Sequence, residues 1–250
     1  LLPQAGDLLN LGQNTNLLQG KTNPALSTQQ IDAGLKEALG IGAEKAVALL
    51  GKRNGYLKDP SVRIPLPSTL EKVAQGLRSA GQGKYVNQFE RSVNRAAEQA
   101  IPQTLAIVQQ TVQSMTLQDA RAILSGGDDA ATRFLQERAG QQLHQAIKPI
   151  VAQATDSAGA TAAYKRLISQ APAPDGLLDN LGSNLGLGGL ATNIGSSLGQ
   201  LPTKEALDLD EYVTHKTLDG LFLKLAAEEQ AIRQNPAART TQLLKQVFGQ

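Results

Sequence analysis

Apolar residues recur at steps of three and four along most of this 250-residue chain. That period lays them on one face of a helix, whereas a half-buried strand needs a step of two. Ile31, Leu35, Ala38, Leu39, Ala46, Val47 and Leu50 follow it, as do Val86, Phe89, Val93, Ala97 and Ala100. Late in the chain Leu218, Leu221, Phe222, Leu225 and Ile232 repeat it. No run of useful length alternates with period two. The pattern predicts an all-α fold, a single-body helical bundle of about eight helices with a Gly-rich external loop. Four Tyr, four Phe and no Trp leave the core to Leu, Val, Ile and Ala. Helices so furnished must approach closely across thin layers of side chains.

Caps and breakers divide this pattern into segments. Ser27 and Thr28 are N-cap candidates for the first helix, and Gly51 and Gly55 end it. Pro60, Pro65 and Pro67 make Tyr56 to Pro67 an extended connection. Ser68 and Glu71 have the spacing of a capping box ahead of Leu70, Val73, Ala74 and Leu77, and Gly81 and Gly83 stop that helix. Pro102 kinks or splits the long helix that follows. Thr116 and Asp119 start a short helix ending near Leu124. Asp128 or Asp129 caps the next, which carries Phe134, Leu135, Leu143, Ile147 and Val151. A helix from Ala160 to Ser169 closes the first part. Two more are expected, from Leu209 to Gln234 and from Asn235-Pro236 to Phe248.

The domain reading follows. Residues 1–26 are a flexible leader, and the Leu1-Leu2-Pro3 start suggests a processed or trimmed form. Residues 27–170 are the first part of the helical domain. Residues 171–203 are a Gly/Pro-rich linker without charge from Asn180 to Thr203. Residues 204–250 supply C-terminal helices that pack on the same domain.

Composition excludes several kinds of chemistry. Without cysteine there is no disulfide framework, thiolate nucleophile, Cys-ligated zinc or iron–sulfur cluster. Lys and Arg number 24 against 22 Asp and Glu, a net charge of +2, which argues against nucleic acid as a partner. No apolar run is long enough for an ordinary transmembrane helix.

The most informative polar residues interrupt an apolar stripe. Steps of three and four from Leu225 land on Glu228 and Glu229, so these carboxylates face inward or sit at the boundary. An unpaired buried carboxylate costs several kcal/mol, so a cation is expected nearby. Arg233 stands at i+4 from Glu229, Arg239 lies just past the turn, and Arg95 and Arg133 can come from other helices. Three readings stay open: a salt-bridge network that fixes helix register, a ligand pocket lined by Arg and Glu, or an acid/base pair with no accompanying nucleophile. The candidate ligand-binding set is Arg95, Glu98, Arg133, Glu228, Glu229, Arg233 and Arg239. No catalytic residue, metal ligand or cofactor is assigned.

Weaker signals have plainer readings. Glu211, His215 and Asp219 share a helical face that suits a divalent metal. The paired Glu-x-x-His motifs of a di-iron bundle are absent, however, and His144, the other histidine, belongs to a different helix. A structural role is preferred. Asp128-Asp129 after Gly126-Gly127 reads as a helix cap rather than a calcium loop. Arg239-Thr240-Thr241 near a helix start reads as a tie to neighbouring helices before an anion site. Lys52, Arg53, Lys58 and Arg63 around Tyr56 read as a solvated loop before a base-stacking, phosphate-binding patch. In the Gly-rich segment, Gly182/Gly186 and Gly195/Gly199 sit among Leu177, Leu181, Leu185, Leu190, Ile194 and Leu198. A surface linker is preferred there to membrane contact or self-association.

Several local motifs share one further property. Arg63-Ile64-Pro65-Leu66-Pro67, Asn94-Arg95-Ala96-Ala97-Glu98 and Gly126-Gly127-Asp128 with Ala130-Ala131-Thr132 resemble the bacterial family known as domain of unknown function 4197. Asp219-Gly220-Leu221-Phe222, Glu228-Glu229 with Ile232-Arg233, and Arg239-Thr240-Thr241 through Val247-Phe248-Gly249 extend the resemblance over roughly residues 30–250. The resemblance implies a helical, exported protein with a cleaved signal peptide, periplasmic or outer-membrane associated, and it implies no activity. The functional expectation is a non-catalytic binding or scaffold protein of the bacterial cell envelope, with an unknown envelope ligand or protein as partner. The alternatives are an amphitropic protein making peripheral membrane contact through residues 176–201, and an enzyme with a Glu/Arg polar site.

Overall fold

Ser27 starts the first helix by a reciprocal cap. Its hydroxyl accepts the Gln30 N–H at 3.2 Å, and the Gln30 side chain accepts the Ser27 N–H at 2.8 Å. The computed structural model describes residues 27–169, 208–235 and 245. Among them are eight α-helices: α1 Thr28–Gly51, α2 Glu71–Ser79, α3 Gly83–Ala100, α4 Thr104–Gln113, α5 Leu117–Leu124, α6 Ala130–Ser157, α7 Ala160–Ser169 and α8 Leu209–Gln234. The fold is all-α. The leader, the Gly/Pro-rich linker and nearly all of the expected last helix lie outside the described residues.

Local chemistry accounts for most boundaries. Pro102 splits the long helical run: α3 ends at Ala100, Ile101–Gln103 form a 3₁₀ turn, and α4 begins at Thr104. Thr116 and Asp119 cap α5 reciprocally, as their spacing predicts. The capping box expected at Ser68 does not form. Ser68–Leu70 make a 3₁₀ turn without a side-chain cap, and α2 starts at Glu71, because Leu70 N–H bonds back to the Pro67 carbonyl. Asp129 occupies the N-cap of α6 but its side chain makes no cap bond.

α6 lies at the centre, packed against α3, α4, α5, α7 and α8, while α1 packs against α3, α4, α5 and α8. Their shared core contains Leu35, Leu50, Phe89, Ile101, Leu135, Leu143, Ile147 and Leu221, each at most 1% exposed. Ala43, Ala46, Ala96, Ala97, Ala100, Ala131 and Ala139 are fully buried between them. Small side chains at the crossings let the larger aliphatic ones interlock, and each buried Leu or Ile contributes roughly 1.5–3 kcal/mol.

The segment from Tyr56 to Pro67 corrects the expectation of a solvated loop. Tyr56 and Ile64 are 0% exposed, and Val62, Leu66 and Pro67 are buried as well. Turns occupy residues 53–58 and 60–62, so the extended connection expected over Tyr56 to Pro67 is confined to 63–67; along this strut Val62, Ile64 and Leu66 are buried while Ser61, Arg63 and Pro65 are exposed. Side chains of α3 and α8 hold this strut. The Tyr56 hydroxyl donates to the Thr217 carbonyl at 2.6 Å, and burial pushes the phenol well above its ordinary range, so it remains a donor. Tyr212 donates to the Pro65 carbonyl at 2.9 Å. Lys224 meets Asp59 at 2.6 Å and Ser61 at 3.0 Å. Lys52, Arg53 and Lys58 stay exposed, but the aromatic ring is buried and cannot join them in stacking a base.

Gly220 sits where the Tyr56 ring crosses α8, and a Cβ there would lie 2.7 Å from Tyr56 Cε1. Alanine gains about 1 kcal/mol of helix propensity, but overpacking costs about 1–3 kcal/mol. Gly220→Ala is therefore expected to lower stability by up to about 2 kcal/mol in urea denaturation despite the better helix former. Asp59 yields a pH prediction. Its bonds to Lys224 and then Ser61 hold its carboxyl at about 2, below the ordinary 3.8. Its contribution is fully present above pH ~4 and is lost as pH falls toward 2. Asp59→Asn should lower the Tm at pH 7, and the gap to the parent chain should close as thermal melts approach pH 2.

Candidate functional site

The first four N–H groups of a helix lack intrahelical acceptors, and a carboxylate placed there satisfies them and meets the positive end of the helix dipole. For α6 that carboxylate comes from α8. Glu229, 7% exposed, accepts the Ala131 and Thr132 N–H groups and the Thr132 hydroxyl, each at 2.9 Å. Arg233, one turn further along α8, reaches the other side of the carboxylate with Nε at 3.1 Å and Nη2 at 2.9 Å. The same Nη2 donates to the Ile123 carbonyl in the last turn of α5 at 2.8 Å. One ion pair thereby joins the end of α5, the start of α6 and the C-terminal half of α8. Five donors already engage the Glu229 oxygens, a constellation suited to holding backbone rather than to moving protons.

Glu98 of α3 does comparable work on the strut. It accepts the Tyr56 and Leu57 N–H groups at 3.2 and 3.3 Å and the Arg95 guanidinium at 2.6 Å. Asn94, one turn earlier and fully buried, pairs with Ile64 as a neighbouring strand would. Its Oδ1 accepts the Ile64 N–H at 2.8 Å and its Nδ2 donates to the Ile64 carbonyl at 2.9 Å. Glu90 bonds Arg63, and also Arg78 at 3.3 Å.

The structure thus pairs Glu229 with Arg233 and Arg95 with Glu98, but it does not gather the six described candidate residues into one chamber. Thr217, which the Tyr56 hydroxyl grips, and Glu229 lie about 18 Å apart along α8 at 1.5 Å per residue. Glu228 is half-buried and lies 3.8 Å from Lys45. Arg133 is exposed and pairs with Asp129 at 2.8 Å. Arg239, with Thr240 and Thr241, lies outside the described residues, as does the 176–201 segment. Beside Glu229 and Arg233, the cavity walled by Leu35, Leu39, Leu135 and Leu225 holds only about 20 Å³, room for a single water.

A much larger hollow, about 670 Å³, opens between α4, α5 and α6. Its walls carry Gln110, Thr111 and Ser114 from α4, Thr116, Gln118 and Asp119 from the α5 start, and Phe134, Arg138 and Gln142 from α6. The Arg138 guanidinium lies 5.5 Å from the Phe134 ring centroid and 3.5 Å from Asp119. Bonds from the Thr116 backbone and hydroxyl, and then the nearby Arg138, keep the Asp119 carboxyl below its ordinary range. A second hollow of about 330 Å³ shares Asp119, Ala122 and Phe134 and extends toward Arg133 and Glu137. Together they form a groove with Phe134 in its floor. Sequence reasoning missed it by placing Phe134 with Leu135 on the core face. The available signal was Phe134 and Arg138 at i, i+4 on the outer side of the Leu135–Ala139–Leu143 stripe.

The third arrangement draws in both histidines. Glu211 Oε1 lies 2.8 Å from His144 Nε2 and 2.8 Å from His215 Nε2. Lys148 holds Glu211 Oε2 at 2.5 Å, and this contact, followed by the His144 bond, keeps the Glu211 carboxyl at about 2. Asp219, grouped with Glu211 and His215 by spacing, stands two turns from Glu211 and pairs instead with Lys216 at 3.1 Å. No helix among the described residues is long and apolar enough to cross a membrane.

A family described as Protein of unknown function (DUF4197) matches residues 25–249. No curated protein and no solved structure matches the chain.

The Glu229 bridge predicts a graded loss. Glu229→Ala strands two N–H groups and a mostly buried guanidinium and should cost about 3–5 kcal/mol in urea denaturation. Glu229→Gln retains an acceptor for the helix start and should cost visibly less. Equal losses in the two variants would contradict the cap assignment.

Proposed function

The chain belongs to the DUF4197 family of proteins of unknown function, and on that premise we propose a non-catalytic binding protein of the bacterial cell envelope. The groove between α4, α5 and α6 takes its ligand. The supporting observation is that groove's size and chemistry. At about 670 Å³ it falls within the range of small-molecule sites. Gln110, Gln118 and Gln142 present amides able to donate and accept, while the Thr111, Ser114 and Thr116 hydroxyls donate to the Ile107 carbonyl, the Thr111 carbonyl and Asp119 and present oxygens to the groove. Its Arg138 and Asp119 lie 3.5 Å apart and offset one another's charge. A lining of this kind favours a neutral ligand rich in hydroxyls or amides over a phosphate or a polyanion. Phe134 adds an apolar surface on which such a ligand can rest. The exported character that the family resemblance implies supports an envelope setting.

The test is calorimetric titration of the full chain with soluble N-acetylated glycan fragments and with short neutral peptides. One of the two should bind, and Gln142→Ala combined with Arg138→Ala should weaken it at least about tenfold while the Tm changes little, since both side chains are exposed on the groove wall. Absence of binding by both probes, or undiminished affinity in the double variant, would overturn the groove assignment. Recovery of the native protein in the cytosolic fraction of its host would overturn the envelope assignment.

A further inference from the structure

The chain has only two histidines among 250 residues, one on α6 and one on α8. Both aim Nε2 at one oxygen of one carboxylate. Glu211 and His215 share a face of α8 at i, i+4, and His144 reaches them from α6, with the two imidazole centroids 4.9 Å apart and tilted by 46°. The three ligand atoms lie within 4.8 Å of one another. A tetrahedral ion with bonds of about 2.0–2.2 Å needs ligand atoms roughly 3.3 Å apart. Small side-chain rotations at a partly exposed site supply that adjustment.

We propose that His144, Glu211 and His215 form a binding site for a divalent late transition metal, Zn²⁺ foremost. Two imidazoles and one carboxylate make a donor set with intermediate softness and three protein ligands, leaving a fourth position open. The surroundings provide for that position. A hollow of about 360 Å³ adjoins the cluster, with Gly140 one turn before His144 contributing no side chain to block it. Lys148 fixes the carboxylate from behind at 2.5 Å, turning Oε1 toward the imidazoles and making single-oxygen ligation the favoured mode. The metal takes the Nε2 lone pair of each ring, so each imidazole then carries its proton on Nδ1. Lys148 takes Glu211 Oε2, and the convergence of both histidines on the remaining oxygen is what the metal site explains. The bound ion would bridge α6 and α8 near the N-terminus of α8.

The experiment is titration of the untagged full chain with ZnCl₂ by calorimetry, alongside Co²⁺ as an optical probe of tetrahedral coordination. The parent chain should bind one equivalent of either ion, Co²⁺ should develop visible ligand-field bands, and Zn²⁺ should raise the Tm. His215 is 63% exposed in its side chain, so His215→Ala should fold normally yet lose at least about 100-fold in affinity and lose the Tm shift. His144→Ala should do the same. Lys148→Met should alter affinity by about 10–100-fold through the orientation of Glu211. Asp219→Asn should bind like the parent. No binding by the parent chain, or binding as tight as the parent's by His144→Ala or His215→Ala, would overturn the site.

Discussion

The bundle depends on a buried carboxylate that serves a helix to which it does not belong. α6 is the longest helix and touches five others among the described residues, yet the residue at its own N-cap contributes no cap bond. Glu229 supplies it from 97 to 98 residues further along the chain. The desolvation cost of that carboxylate is offset by two backbone donors, a hydroxyl and a two-pronged arginine, the condition under which a buried charge is tolerated. An apolar residue at 229 would pack as well but would leave the start of α6 with stranded N–H groups. The bridge therefore specifies an alignment, fixing how far α8 slides along α6, rather than merely adding attraction between two helices.

The strut from Tyr56 to Pro67 meets the same need by other means. Turn bonds from Asp59 N–H to the Tyr56 carbonyl and from Arg63 N–H to the Asp59 carbonyl satisfy part of its backbone, and the groups that remain have no ladder to join. Asn94 acts as a one-residue ladder, Glu98 collects the N–H groups of Tyr56 and Leu57, and Tyr56 returns a hydroxyl to the Thr217 carbonyl. Gly220 leaves the space that the phenol ring occupies. α3 and α8 are held together through this segment, and their own helical patterns carry no record of it.

What was legible in the sequence follows from range. Starts set by residues three apart, at Ser27 with Gln30 and Thr116 with Asp119, can be read locally. So can the inward turn of Glu229, because an apolar stripe fixes a helical face. The cap of α6 and the burial of Tyr56 depend on side chains distant in sequence. Proline content alone excludes a regular helix from residues 56–67, which are built as turns followed by an extended run at 63–67, and leaves open which side faces inward. The alternation of Val62, Ile64 and Leu66 was present but too short to weigh against three prolines. The meeting of His144 with Glu211 depends on the rotation of α6 against α8, which a periodicity of either helix alone does not define. The groove at Phe134 escaped for a related reason: adjacent apolar residues on a helix point about 100° apart, so Leu135 is fully buried while Phe134 packs on the core edge and also lines the groove.

The motifs that carry the family likeness fall largely on these supporting contacts. Arg63 and Ile64 belong to the strut, Asn94 and Glu98 hold it, and Gly220 makes room for its tyrosine. Ala131 and Thr132 receive Glu229, and Arg233 completes that bridge. They describe how the bundle is locked. The paired histidines and most of the groove wall stand outside those motifs, on faces of α4, α5, α6 and α8 that the lock leaves open to solvent. Glu229, Glu98 and Asn94 are already engaged in holding backbone, so the proposed ligand chemistry falls to the exposed side chains of those faces. Such a division lets groove residues change without unpairing a buried charge, whereas a change at Glu229 or Glu98 strands backbone donors and an arginine together.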